Sequence, residues 1–278
     1  MRKELIVLLV LLGVFLAIGC TDNGSKATNE TGTPATAETP VSGQEPETIT
    51  VSAAASLTEA FTDMESKFEA ENPDIDVNFN FGGSGNLRTQ IEGGAPVDVF
   101  ASADESQMDT LANETLIDNG SREDFVQNSL VLIVPANSTL NITSLQDLAD
   151  SKIEKISIGN PDTAPVGKYT RSALTEAGLW DKLEKKMVPA EDVKQVLLYV
   201  ERGEVDAGFV YMTDAKTAEP GTVKIVASVP VSTTVKYPIA VVSSSDNKKE
   251  AQEFVDFVTG EEGQKTLQKY GFMSSSKQ

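Results

Sequence analysis

The sequence predicts an α/β fold arranged in two lobes. Short apolar runs alternate with amphipathic helical patterns, as expected of sheets covered by helices. The alternation restarts after a strongly apolar run at residues 129–135. A late apolar run at 236–242 then precedes two closing helical patterns and reads as the chain crossing back.

The elements follow in order. Residues 49–53 are β-rich and end in small side chains. Residues 57–70 form an amphipathic helix, with Leu57, Ala60, Phe61, Met64 and Phe68 on one face. A period-two strand at 75–81 leads to a helix at 87–92, a buried strand at 97–101 and a helix at 107–112. After the strand at 129–135 come a helix at 145–149, a strand at 155–159 and a helix at 166–177. A strand at 185–188, a helix at 193–202 and strands at 207–211 and 223–227 complete that part. Helices at 249–259 and 262–270 are expected to pack on the first lobe. The expected boundaries are 48–128 with 237–278 for the first lobe and 129–236 for the second, each a mainly parallel sheet. Ligands on such sheets sit beyond the carboxyl ends of the strands, where Ser56, Ser84 and Ser102 fall.

Residues 1–47 stand apart. Arg2 and Lys3 precede an apolar run at 5–18 that is short for a membrane span. Ala17-Ile18-Gly19-Cys20 resembles a lipoprotein processing site, which implies a leader at 1–19 and lipidation of Cys20. A plain secretory leader is the alternative. Residues 20–47 are rich in Thr, Gly, Pro, Ala, Ser and Glu without an aromatic, and read as a tether. Cys20 is the one cysteine of the 278 residues, so disulfides and thiol chemistry are excluded. The net charge of −19 argues against nucleic acid as a partner and against adsorption to anionic lipid. An anion bound by this chain must be held by local dipoles at short range.

Four strand-to-helix turns could supply such dipoles. Ser56 and Glu59 have capping-box spacing. Gly83-Ser84-Gly85 places a serine between glycines where a strand ends. Residues 159–169 contain a proline-rich turn with Pro165 near a helix start, and Pro189-Ala190-Glu191-Asp192-Val193 opens the next helix. Each alone is compatible with an ordinary helix cap. Together they offer backbone N–H groups and hydroxyls to an anion from both lobes.

Several of these stretches carry a family resemblance. Ala53-Ala54-Ala55-Ser56-Leu57-Thr58, Gly83-Ser84-Gly85, Gly94-Ala95-Pro96-Val97-Asp98-Val99-Phe100-Ala101-Ser102-Ala103-Asp104, Asn128-Ser129-Leu130-Val131, Gly159-Asn160-Pro161, Val188-Pro189-Ala190-Glu191-Asp192-Val193 and Tyr270-Gly271-Phe272 resemble the periplasmic molybdate-binding proteins of ABC importers. The resemblance runs from about Thr48 to Met273. It implies a two-lobed type II periplasmic-binding fold that closes by a hinge on its ligand. It also implies the ligand set: Ser56 and Ser84 hydroxyls, Val166 and Val193 backbone N–H groups, and the Tyr211 hydroxyl. Molybdate or tungstate is the implied ligand, and the permease and ATPase of an importer are the implied partners. A monomer without a cofactor is expected. A related archaeal branch adds two carboxylates that complete an octahedral centre. Their places fall near Ala164 and Val210, neither acidic, so a tetrahedral oxyanion held by hydrogen bonds alone is expected, with no directly coordinated metal.

Competing functions remain distinct. An enzyme would need a base beside its nucleophile, and the chain has no histidine. Phosphate, protonated near neutral pH, would require an acceptor. The nearest carboxylates, Asp104 and Asp162, read as surface or capping residues, and Lys168 and Lys194 as solvated helix residues. Sulfate matches molybdate in charge, and excluding it rests on the resemblance. A purely structural surface lipoprotein would leave the four donor turns without a purpose.

Overall fold

The computed structural model describes residues 45–275. The leader, Cys20 and nearly all of the tether lie outside these residues.

The chain begins with β1 (Glu47–Ala54), a 3₁₀ turn (Ala55–Leu57), α1 (Thr58–Glu71), β2 (Ile75–Gly82), α2 (Ser84–Glu92), β3 (Val99–Ala101), α3 (Glu105–Asn113) and β4 (Glu123–Asn128). It continues with β5 (Leu130–Pro135), a 3₁₀ turn (Gln146–Ala149), β6 (Ile156–Gly159), α4 (Pro165–Glu176) and α5 (Trp180–Leu183). A further 3₁₀ turn (Glu184–Lys186) leads to β7 (Met187–Ala190), α6 (Val193–Glu201), β8 (Ala207–Tyr211), α7 (Met212–Thr217) and β9 (Val223–Val229). The chain closes with β10 (Val235–Val241), α8 (Lys248–Thr259), α9 (Glu261–Lys269) and β11 (Met273–Ser274).

Two sheets result, in the orders β11-β4-β10-β3-β1-β2 and β7-β6-β8-β5-β9. The two-lobed α/β fold is as expected, but the sheets are mixed rather than mainly parallel. β1 runs parallel to β2 and β3, and β6 runs parallel to β7 and β8. β10 and β5 run antiparallel to both of their neighbours, and β11 is antiparallel to β4. The reason lies in the crossings. Only Ser129 separates β4 in the first sheet from β5 in the second, so no helix intervenes to return the chain in the parallel sense.

Four segments escape a periodicity reading: β4, α5, α7 and β11. β4 has a mixed burial pattern, and α5 has only four residues. The strand expected at 185–188 begins at Met187, because the preceding three residues form a 3₁₀ turn. The helix expected from Leu87 begins at Ser84. β1 begins at Glu47, inside the segment read as tether.

The closing helices pack as expected on the first sheet. α8 lies against β1, β4 and β10, and α9 against α1. Phe254 of α8 meets Phe61 and Phe68 of α1 edge-on, with ring centroids 5.8 and 5.3 Å away. Such pairs add to the burial of their large apolar surfaces. This core holds the N-terminal end of α1, and with it Ser56, in a fixed position.

Candidate functional site

A small pocket forms where the carboxyl ends of strands from both sheets meet. From the first sheet come Ala54, Ala55 and Ser56 after β1, Gly82, Gly83 and Ser84 after β2, and Ala103 after β3. From the second come Ala164, Pro165 and Val166 before α4, Asp192 and Val193 before α6, and Tyr211 at the end of β8. The structure thus brings Ser56, Ser84, Val166, Val193 and Tyr211 to one pocket, with a cavity volume of about 10 Å³. That is on the order of one water-sized sphere, far below the roughly 300 Å³ at which drug-sized ligands begin. Ser102 is not among the lining residues. Its hydroxyl donates to the Asp104 carbonyl at 2.8 Å.

The walls present donors. Val166 is the second residue of α4 and Val193 the first of α6, positions whose N–H groups have no partner within their helices. Pro165 opens α4, where a missing N–H costs nothing. The Ser84 hydroxyl accepts the Ala103 N–H at 3.0 Å, leaving its own hydrogen to donate elsewhere. The Ser56 hydroxyl lies 2.8 Å from that of Tyr237. The Tyr211 hydroxyl is fully buried and has no hydrogen-bond partner among the described residues. Burial pushes its pKa well above the ordinary tyrosine value, so it stays protonated.

The expected capping box is not formed. The 3₁₀ turn tightens the start of α1, and no side chain caps it. Ser56 turns to Tyr237, while Glu59 reaches across to Lys194, whose Nζ lies 2.6 Å from Glu59 Oε2 and 3.1 Å from Asp214 Oδ1. Lys194 is therefore not a solvated helix residue. Burial works against its charge, but Asp214 and Glu59 outweigh it and hold its pKa above the ordinary value. Lys168 likewise bridges the two sheets' domains, with Nζ 2.6 Å from Asp104 Oδ2 and 2.7 Å from Ser106 Oγ. Asp104 is buried, and it does cap α3 by accepting the Ser106 N–H at 3.0 Å. Both lysines are held by carboxylates, and neither lines the pocket.

One carboxylate, Asp192, borders the pocket. Its Oδ1 caps α6 by accepting the Gln195 N–H at 3.0 Å. Ala164 and Val210, where acidic ligands would complete an octahedral site, are buried apolar residues. Among the described residues no cluster of three or more His, Cys, Asp or Glu could hold a metal ion. The arrangement is suited to binding a small anion through neutral donors.

Known proteins agree with this architecture. Residues 49–273 match the bacterial extracellular solute-binding protein family, and the chain belongs to it. It is 35% identical over 271 residues to YvgL of Bacillus subtilis (strain 168), assigned as an ABC transporter substrate-binding lipoprotein, covering 98% of each chain. It is 39% identical over 235 residues to the molybdate-binding protein ModA of Escherichia coli (strain K12), covering 81% of this chain and 88% of that one. The solved periplasmic molybdate-binding protein of Azotobacter vinelandii superposes with a TM-score of 0.72 at 26% identity, over 81% of this chain and 98% of the other. These relatives are solute-binding proteins, not enzymes.

Removing Lys194 would leave the fully buried Asp214 without its cation. Lys194→Met is expected to lower stability by about 3–5 kcal/mol in urea unfolding. Glu59→Gln, which removes the partly exposed partner, is expected to cost about 0–1 kcal/mol.

Proposed function

We propose that the protein is the substrate-binding component of an ABC importer and captures molybdate, with tungstate as an equivalent ligand, in the pocket between its lobes. In this reading the Ser56, Ser84 and Tyr211 hydroxyls and the Val166 and Val193 N–H groups bind the oxyanion. One observation carries it: the Tyr211 hydroxyl is buried at the pocket without a hydrogen-bond partner among the described residues. A buried hydroxyl left unpaired costs about 1–3 kcal/mol, which an acceptor brought by the ligand would recover.

The chemistry supports an anion that needs donors only. Molybdate and tungstate are fully deprotonated dianions near neutral pH and bring acceptors alone. Hydroxyls and helix N-terminal N–H groups match them without a formal countercharge. Each charge-assisted hydrogen bond in a dry pocket contributes about 1.5–3 kcal/mol. Several together reach about −8 kcal/mol, a micromolar dissociation constant or tighter. The relatives that bind molybdate support the same ligand, and the size of the pocket opposes sugars and peptides.

Calorimetry on the purified protein tests the reading. Molybdate and tungstate are expected to bind tightly and sulfate at least about tenfold more weakly. Ser56→Ala, Ser84→Ala and Tyr211→Phe are each expected to weaken molybdate binding about tenfold or more, the loss of one such hydrogen bond. Unchanged affinity in all three would mean that the anion binds elsewhere.

The leader and tether support an extracytoplasmic protein anchored to the outer face of the membrane through lipidated Cys20. Residues 1–44 lie outside the described structure, so this rests on sequence and on the full-length match to a lipoprotein relative. Cys20→Ala is expected to move the protein from the membrane fraction to the soluble fraction. Continued membrane association of that variant would contradict the anchor.

A further inference from the structure

The hydroxyl of Ser56 could face the pocket with its hydrogen or with its lone pairs, and only the first suits an oxyanion. A buried chain of hydrogen bonds behind it settles the choice. The Ser129 N–H donates to Asn128 Oδ1 at 2.9 Å. That contact fixes which way the Asn128 amide points, since the reverse orientation would set its NH₂ group against another N–H. Asn128 Nδ2 then spends its two hydrogens on the Thr213 hydroxyl at 2.9 Å and the Tyr237 hydroxyl at 3.2 Å. The Tyr237 oxygen is thereby an acceptor on that side. Its single hydrogen has one acceptor left, Ser56 Oγ, at 2.8 Å. With the Tyr237 hydrogen on one of its two lone pairs, Ser56 keeps its own hydrogen to donate toward the pocket.

We propose that Asn128 and Tyr237 are positioning residues for anion binding, a one-way relay from Ser129 through Asn128 and Tyr237 that holds the Ser56 hydroxyl as a donor to the ligand. The inference rests on the proposed oxyanion site and deepens it. Both positioning residues are buried, so water does not compete for these bonds. Tyr237 also packs edge-on against Tyr211, with ring centroids 6.1 Å apart, and so adjoins a second donor of the site. The relay starts where the chain crosses between sheets, at Asn128 and Ser129. The direction of a binding-site hydroxyl is thus set by the backbone of the crossing itself.

A double-mutant cycle tests this on the purified protein, with molybdate as the probe and calorimetry as the readout. Tyr237→Phe keeps the ring and removes the relay oxygen. It is expected to weaken molybdate binding about three- to tenfold in the wild-type background and to have almost no effect when combined with Ser56→Ala. A residue acting only through general packing would give additive losses. Asn128→Asp keeps the size and replaces the donor by an acceptor. The Tyr237 hydrogen would turn to it, Ser56 would donate to Tyr237, and a lone pair would face the anion. This variant is expected to bind molybdate more weakly than Tyr237→Phe does. Should circular dichroism show that Asn128→Asp does not fold, the Tyr237 cycle decides alone. Additive losses, an unchanged Tyr237→Phe, or a folded Asn128→Asp that binds as well as Tyr237→Phe would overturn the relay. Failure of the site itself looks different: Ser56→Ala would then leave affinity unchanged, or the wild type would not bind molybdate.

Discussion

The pocket depends on two backbones coming within hydrogen-bonding distance. The Gly85 N–H donates to the Thr163 carbonyl at 2.9 Å, joining the start of α2 to the turn before α4. A Cβ on Gly85 would sit 2.7 Å from that carbonyl oxygen, and one on Gly83 would sit 3.0 Å from both the Thr163 and Glu191 oxygens. A side chain at position 85 does not fit without moving the Thr163 backbone, and one at position 83 is tightly crowded by two carbonyls. The approach sets the N-terminus of α2 opposite those of α4 and α6. The first turns of three helices then share one small volume, an arrangement that favours negative charge.

A chain with a net charge of −19 has no long-range attraction for an anion. The structure answers this locally. Lys168 and Lys194 lie near the pocket, but Asp104, Glu59 and Asp214 engage them, and they tie the two lobes together on either side of the pocket. In the proposed site, charge holds the walls and neutral donors are left to meet the ligand. In such a site selectivity follows from donor geometry and size, and protonated oxyanions meet donors where they need an acceptor.

Much of this was legible in the sequence, and what was missed has a common cause. Ser56 and Ser84 stand at strand-to-helix turns that small residues and glycines announce locally. Val166 and Val193 lie at helix starts marked by Pro165 and Asp192, whereas the expectation for Tyr211 rests on family resemblance. The capping box at Ser56 and Glu59 was misread because both side chains find better partners far away, at Tyr237 and Lys194. Tyr237 lies 181 residues from Ser56 in the chain, and nothing in its own neighbourhood announces a hydroxyl relay. The pairing of Lys194 with Glu59 and of Lys168 with Asp104 is invisible locally for the same reason, since those two carboxylates come from the other lobe. The antiparallel strands arise from direct sheet-to-sheet crossings, which a strand-helix alternation does not display.

The central claim is that neutral donors from both lobes surround a small dianion. A crystal structure of the protein grown with molybdate, with anomalous diffraction data collected at a molybdenum absorption edge, tests it most directly. The account predicts a single anomalous peak bounded by the Ser56, Ser84 and Tyr211 hydroxyls and the Val166 and Val193 N–H groups. A peak ligated by carboxylates or lysines, or one outside this pocket, would contradict it.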